Sequence, residues 1–82
     1  MYFVYLLLCK DDSIYTGITT DLDGRLKKHK DGTASHYTRA RGAVKILYSE
    51  THKDRSGALK REAEIKRWPR AKKLALIETH GG

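Results

Sequence analysis

One unbroken apolar run opens the chain: Tyr2-Phe3-Val4-Tyr5-Leu6-Leu7-Leu8-Cys9. Eight residues are too few for a membrane span, and too few for the apolar segment of a secretory leader with its cleavage site. The run is aromatic and aliphatic, and it stops at the turn cluster Lys10-Asp11-Asp12-Ser13. It therefore reads as a buried β-strand. A chain of 82 residues has room for one domain, spanning 1–82, with a modest core. The single cysteine, Cys9, can form no internal disulfide. Inside an apolar run it reads as a small buried residue of a reduced, cytoplasmic protein.

The rest of the chain follows from this strand. Ile14–Thr19 reads as a second strand, completing a hairpin, with Gly17 marking a bulge or a close backbone approach. Thr20 or Asp21 can cap a helix in which Leu22 and Leu26 sit at i, i+4 and which Asp31-Gly32 ends. Thr33–Gly42 is polar and aperiodic and reads as a loop with room for one helical turn. Ala43–Thr51 reads as a third strand. Asp54 or Ser56 caps a helix running to about Arg67, and Pro69 starts another at its first helical position. The closing Thr79-His80-Gly81-Gly82 is expected to fray.

The hairpin register decides where two tyrosines point. A two-residue turn at Asp11-Asp12 sets Tyr5 opposite Ile18 and sends Tyr5 and Tyr15 to opposite faces. A three-residue loop or a bulge puts both on one face. The residues alone leave both registers open.

Charge points to the partner. Seventeen Lys and Arg against ten Asp and Glu leave a net +7. Such a field favours polyanions, DNA or RNA, over neutral partners. Four histidines, His29, His36, His52 and His80, lack zinc-ligand spacing, and no cysteine pair accompanies them.

Two helices carry polar groups on faces that should be apolar. At 100° per residue, the stripe of the later helix is built from Ala58, Leu59, Ala63 and Ile65. Glu62 and Lys66 fall inside it, while Glu64 faces water. A carboxylate on a core-facing side needs compensation. It is either an i, i+4 ion pair with Lys66 or a metal-binding group at a cleft edge. In the earlier helix, Arg25 and His29 form an i, i+4 pair at the edge of the Leu22–Leu26 stripe. Two neighbouring donors suit an anion such as phosphate, although both can simply lie against a sheet. The segment His36-Tyr37-Thr38-Arg39, with Arg41, mixes aromatic and cationic groups suited to gripping nucleic acid. Trp68 reads as a core aromatic covering Lys66. Lys72 and Lys73 read as a solvated face.

Taken in order, these residues resemble the GIY-YIG nuclease family. Its two signature tripeptides stand here as Phe3-Val4-Tyr5 and Tyr15-Thr16-Gly17. Arg25 follows Tyr15 by ten residues, and His29 follows Arg25 by four. Ala58-Leu59-Lys60-Arg61-Glu62 is similar to the helix that bears the family's catalytic glutamate. The resemblance covers nearly the whole chain and is nearest to small standalone bacterial members. Phe3, Val4 and Thr16 depart from the signature. Ile18 stands where some relatives have lysine, and the chain has no asparagine.

The resemblance implies an α+β fold: a three-stranded antiparallel sheet flanked by helices in the order β-β-α-β-α-α, with both tyrosines on one face. It implies a DNA endonuclease, with RNA not excluded as substrate, that uses one Mg²⁺ or Mn²⁺ ion held by Glu62. Arg25 would hold the attacked phosphate, and Tyr15, in preference to Tyr5, would take a proton from water. His29 would bond to that base or to the phosphate. Nucleic-acid contacts are expected from His36, Tyr37, Arg39, Arg41 and Lys66. No membrane is implied, and a protein partner or self-association would supply extra grip. The rival readings are a non-catalytic nucleic-acid-binding module on the same fold, and an interaction protein using the basic surface.

Overall fold

The computed structural model describes residues 1–80, apart from the side chain of His80, so the expected fraying at Gly81-Gly82 lies outside the described residues. The apolar run forms β1 (Tyr2–Cys9), and it is the middle strand of the antiparallel sheet β2-β1-β3, with β2 at Ile14–Thr19 and β3 at Ala43–His52. The central position explains why the run does not alternate with polar residues. Val4 and Leu6 enter one core with Ile14, Ala58 and Ile65, while Tyr5 and Leu7 enter a second with Ala43. A strand covered on both faces must be apolar on both.

The hairpin takes the three-residue form. Cys9 N–H donates to Ser13 at 2.9 Å, Asp12 N–H donates to Cys9 at 3.0 Å, and Asp12 sits at φ 67. This is a tight turn followed by a left-handed residue, a loop that aspartate tolerates better than most side chains. It sets Leu8 against Ile14, Leu7 against Tyr15 and Tyr5 against Gly17. Tyr5 and Tyr15 therefore share a face. On the other edge, register shifts at Leu47 and Val44 bend β3 along β1.

Helix α1 (Leu22–Asp31) covers the Tyr5 face, capped by Asp21, which accepts from Gly24 N–H, and closed by Gly32 at φ 80. The segment expected as a loop contains a short helix, α2 (His36–Arg41), because Ser35 accepts from Tyr37 N–H and caps it. Helix α3 (Arg55–Lys66), capped by Asp54, packs on the opposite face, and α4 (Arg70–His80) follows. Pro69 stands one place before the expected position: its carbonyl accepts the first helical N–H groups of α4, from Lys72 and Lys73.

The buried stripe of α3 is narrower than its sequence suggests. Ala58 and Ile65 are fully buried, but Leu59 is 36% exposed and the Lys66 side chain is 51% exposed. The helix is turned instead toward Arg61, whose Nε donates to both oxygens of Glu50 at 3.2 and 3.0 Å. Tyr48 also donates to Glu50, and His52 Nε2 lies 2.7 Å from its second oxygen. Burial alone would raise the Glu50 pKa, but the hydrogen bonds from Tyr48, His52 and Arg61 hold it below the ordinary value. Burial and this carboxylate push the Tyr48 phenol up to about 12.

The cluster makes a prediction about acid stability. Glu50 has a lowered folded pKa, so its contribution is present above the unfolded value, near 4.3, and lost as pH falls through the folded one. Glu50→Ala is expected to cost about 2 kcal/mol at pH 7 and to lower the melting temperature by about 10 °C. That difference should shrink in thermal melts as the buffer is acidified. A melting temperature unchanged at pH 7 would show that the cluster is incidental.

Candidate active site

Gly17 is where the hairpin register becomes a site. It lies opposite Tyr5, and a side chain there would have no room: an added Cβ would stand 2.6 Å from Tyr5 Oη, 2.7 Å from its Cζ and 3.0 Å from Tyr15 Cε2. The missing side chain lets both rings close over β2. Their centroids are 6.4 Å apart, and His29 meets both rings edge-on, at 5.8 Å from Tyr5 and 5.2 Å from Tyr15. The expected close approach at Gly17 is thus one of tyrosine rings to backbone.

His29 joins this cluster to α2. Its Nε2 lies 2.7 Å from Tyr5 Oη, and its Nδ1 lies 2.8 Å from Thr38 Oγ1. Thr38 Oγ1 donates to the Ser35 carbonyl at 3.3 Å, so it accepts from His29 Nδ1–H. That fixes the tautomer: Nε2 is bare and accepts the Tyr5 proton. The order of donation runs Tyr5, His29, Thr38, Ser35. Tyr5 is 2%, His29 2% and Thr38 0% exposed. Burial first, and Arg25 second, hold His29 below the ordinary imidazole pKa, so it is neutral. Burial also pushes the Tyr5 phenol far above its usual value, helped by Tyr15 and Glu62 and opposed by Arg25. The buried pair is therefore a phenol donor and a neutral imidazole acceptor.

Some of the other predicted residues lie near this pair, and others do not. Arg25 and Glu62, both half-buried, are close enough for their charges to act on Tyr5. They reach it from α1 and α3. Tyr15 is half-buried and so remains open to solvent, with Tyr37 against it at 5.7 Å. Arg41 lies over the Tyr37 ring at 4.4 Å and pairs with Asp11 at the hairpin tip. His36 and Arg39 are not part of this cluster; they line a separate cavity of about 330 Å³ with residues of the α1–α2 connection. Lys66 Nζ stands 3.6 Å from Glu62, so the i, i+4 ion pair is present.

Comparison with known proteins decides the family. The GIY-YIG catalytic-domain model matches residues 1–75. A UPF0213 protein of Staphylococcus aureus strain Mu3 is 46% identical over 77 residues, covering 94% of each chain. The solution NMR structure of the UPF0213 protein BH0048 from Bacillus halodurans is 42% identical, with a TM-score of 0.64 over all of this chain and 88% of that one. The chain belongs to the GIY-YIG family. Its fold is accordingly of the nuclease type, and the three-stranded antiparallel sheet with flanking helices is the one the signature implied. No described helix is long and apolar enough to cross a membrane.

In this GIY-YIG domain, the departures Phe3 and Val4 are scaffold positions. Val4 is fully buried in the α3-side core, and Phe3 pairs with Thr19 and Thr51 across the sheet. Thr16 faces the same side as Leu6, and its Oγ1 is buried with no hydrogen-bond partner among the described residues. Among the described residues no three His, Cys, Asp or Glu side chains cluster as a metal cage. A single inward carboxylate, Glu62, still fits a hard divalent cation that takes its remaining oxygen ligands from substrate phosphate and water.

Several residues escaped the sequence reading. Thr38 sits in an aperiodic segment and gives no signal of its bond to His29. Trp68 is half-buried against the core as expected, but the cations over it are Arg61 at 5.1 Å and Lys72 at 4.4 Å rather than Lys66. Lys73 is half-buried in a cavity wall, not on a solvated face.

Gly17→Ala tests the packing. Because the Tyr5 ring is buried and cannot swing away freely, the substitution should destabilise the domain by about 1–3 kcal/mol. It should also part Tyr5 from His29 and let water in. The His29 pKa, read by NMR titration, should then rise toward its ordinary value near 6.5. An unaltered melt and an unaltered titration would refute this account.

Proposed function

We propose that this GIY-YIG domain is a divalent-metal-dependent endonuclease that hydrolyses phosphodiester bonds in DNA. The carrying observation is the single cluster that gathers two phenols, a neutral histidine, an arginine and a carboxylate from β1, β2, α1 and α3. A net charge of +7 favours the polyanionic substrate.

Glu62 would hold the metal, Mg²⁺ or Mn²⁺, in place of its present partner Lys66. When bound, the ion would offset negative charge on the phosphate and on the leaving oxygen. Arg25 binds the attacked phosphate, with a guanidinium whose charge already acts on Tyr5 and His29. The two phenols divide the remaining work. Tyr5 is buried and its hydroxyl is committed to His29, and a charge on Tyr15 makes a charge on Tyr5 still more costly. Tyr5 therefore stays a neutral donor that orients the site. Tyr15, the solvent-reached phenol, takes the proton from the attacking water in its phenolate form. His29 holds Tyr5 in place through Nε2 and is itself held by Thr38. Tyr37 and Arg41 extend the site outward as substrate contacts, and His36 and Arg39 of the same helix line the separate cavity.

The decisive experiment incubates the protein with branched, nicked and plain duplex DNA, in Mg²⁺ or Mn²⁺ and in chelator. Metal-dependent cleavage is expected, and Glu62→Ala should abolish it while DNA affinity in chelator stays within about twofold. Cleavage that survives Glu62→Ala would remove the metal assignment. Binding without cleavage of any substrate would favour the non-catalytic module.

The pH profile is a second test. His29 acts in its neutral form, and its folded pKa is lowered. Loss of activity through protonation of His29 should therefore come only below about pH 6.5, the ordinary imidazole value, beneath any slope that the phenolate base adds at higher pH. A loss of activity centred above that value would mean that His29 is not the group being titrated.

A further inference from the structure

Beside Tyr15 the surface opens into a cavity of about 260 Å³ between β2, α2, α3 and α4. Its walls are Ile14, Tyr15, Thr16, Tyr37, Lys66 and Lys73. Three features of it are unexplained by the site already described. Two lysines from successive helices face one hollow, although like charges repel. Among the described residues Lys73 forms no ion pair, and only Lys66 has a carboxylate neighbour, Glu62 at 3.6 Å. Thr16, 3% exposed, brings a buried hydroxyl with no partner, which is a standing cost unless something accepts from it.

We propose that this cavity binds a second phosphodiester of the substrate strand, next to the one held by Arg25, with Lys73 and Lys66 as its cations and Thr16 as its neutral donor. The inference rests on the nucleic-acid reading of the site and extends it to residues of α4. An anion between the lysines turns their repulsion into two attractions. Burial and the neighbouring Lys66 charge already hold Lys73 below the ordinary lysine pKa, and a bound phosphate would reverse that pressure. Rotation of Thr16 about χ1 exchanges its hydroxyl with its methyl group, so the orphan donor can turn toward the hollow. Tyr15 and Tyr37, 5.7 Å apart, wall the cavity on the side of the cluster, so a strand held here also passes the phenol that meets water. The subsite would thus set the strand's register on the cleavage centre.

The test is duplex-oligonucleotide binding in chelator, across a salt series, with the full chain. Lys73→Gln should weaken binding and lower the magnitude of the log–log salt slope by about 1, and Lys73→Arg should restore the slope. Lys45→Gln, on the opposite edge strand, should leave the slope unchanged. Thr16→Val should raise the melting temperature, because it removes an unpartnered hydroxyl, yet weaken binding by about fivefold with no change of slope. Gain in stability with loss in affinity is a combination that a merely structural threonine would not give. An unchanged slope in Lys73→Gln, or an equal fall in Lys45→Gln, overturns the proposal, as does a wild-type chain that binds no duplex at any salt. If these shifts appear but no substrate is cleaved in metal, the phosphate subsite stands and the endonuclease reading falls.

Discussion

Asp12, at φ 67, ends the first hairpin's loop after three residues and so pairs Leu8 with Ile14. The candidate site depends on that count. Side chains alternate along a strand, so a loop shorter by one residue would move every side chain of β2 to the other face. Tyr15 would then lie among the residues of the α3 core, and Thr16 would lie under α1. Gly17 would no longer sit beneath the Tyr5 ring. One residue of loop length therefore determines whether the two phenols can meet one histidine. The left-handed conformation of a non-glycine residue is the local cost, and it is small for aspartate.

A second constraint sets the angle from which the carboxylate arrives. Arg61 donates from α3 to Glu50 on β3, and Glu62 is the next residue. On a helix the next residue projects about 100° further round. Anchoring Arg61 over β3 thus turns Glu62 away from β3 and toward the part of the sheet where its charge acts on Tyr5. Glu50 is itself held by Tyr48 and His52 from its own strand. A group of polar residues on the face opposite the tyrosines thus orients the carboxylate whose charge acts on Tyr5. The same rotation exposes Leu59 and moves Lys66 out of the core, which apolar periodicity alone places inside.

This explains how far the sequence could be read. Strands, caps and the central apolar run were legible because they depend on local propensity and on burial of nearby residues. Asp21, Gly32 and Asp54 end or begin their helices where cap chemistry requires. Arg25 and His29 were legible as a pair because helix geometry fixes i, i+4 neighbours. The register of Tyr15 was not, since two loop lengths fit the same turn residues and only the family resemblance favoured one. Thr38 was not, since its bond to His29 crosses from one helix to another through a segment without a period. Lys73 was missed for a related reason: its burial is set by a cavity it shares with residues of β2, α2 and α3, and nothing within α4 records that.

The two tyrosines show how one sheet face separates identical groups. Both carry the same phenol, and their rings are 6.4 Å apart. Gly17 lets Tyr5 sink against the backbone, where burial disfavours the phenolate and His29 accepts its proton. Tyr15 stays where water reaches it. Their mutual repulsion when ionised then sharpens the difference, because a negative charge on one raises the cost of a charge on the other. Environments that push two like groups apart suit them to different roles, and on the proposed mechanism one is a fixed donor and the other a proton acceptor. The neutrality of His29 is what keeps this asymmetry: a protonated imidazole could only donate to Tyr5 Oη, and the buried phenol O–H would lose its acceptor. The same desolvation that makes the Tyr5–His29–Thr38 chain costly to build thus keeps each of its protons on the atom where the site needs it.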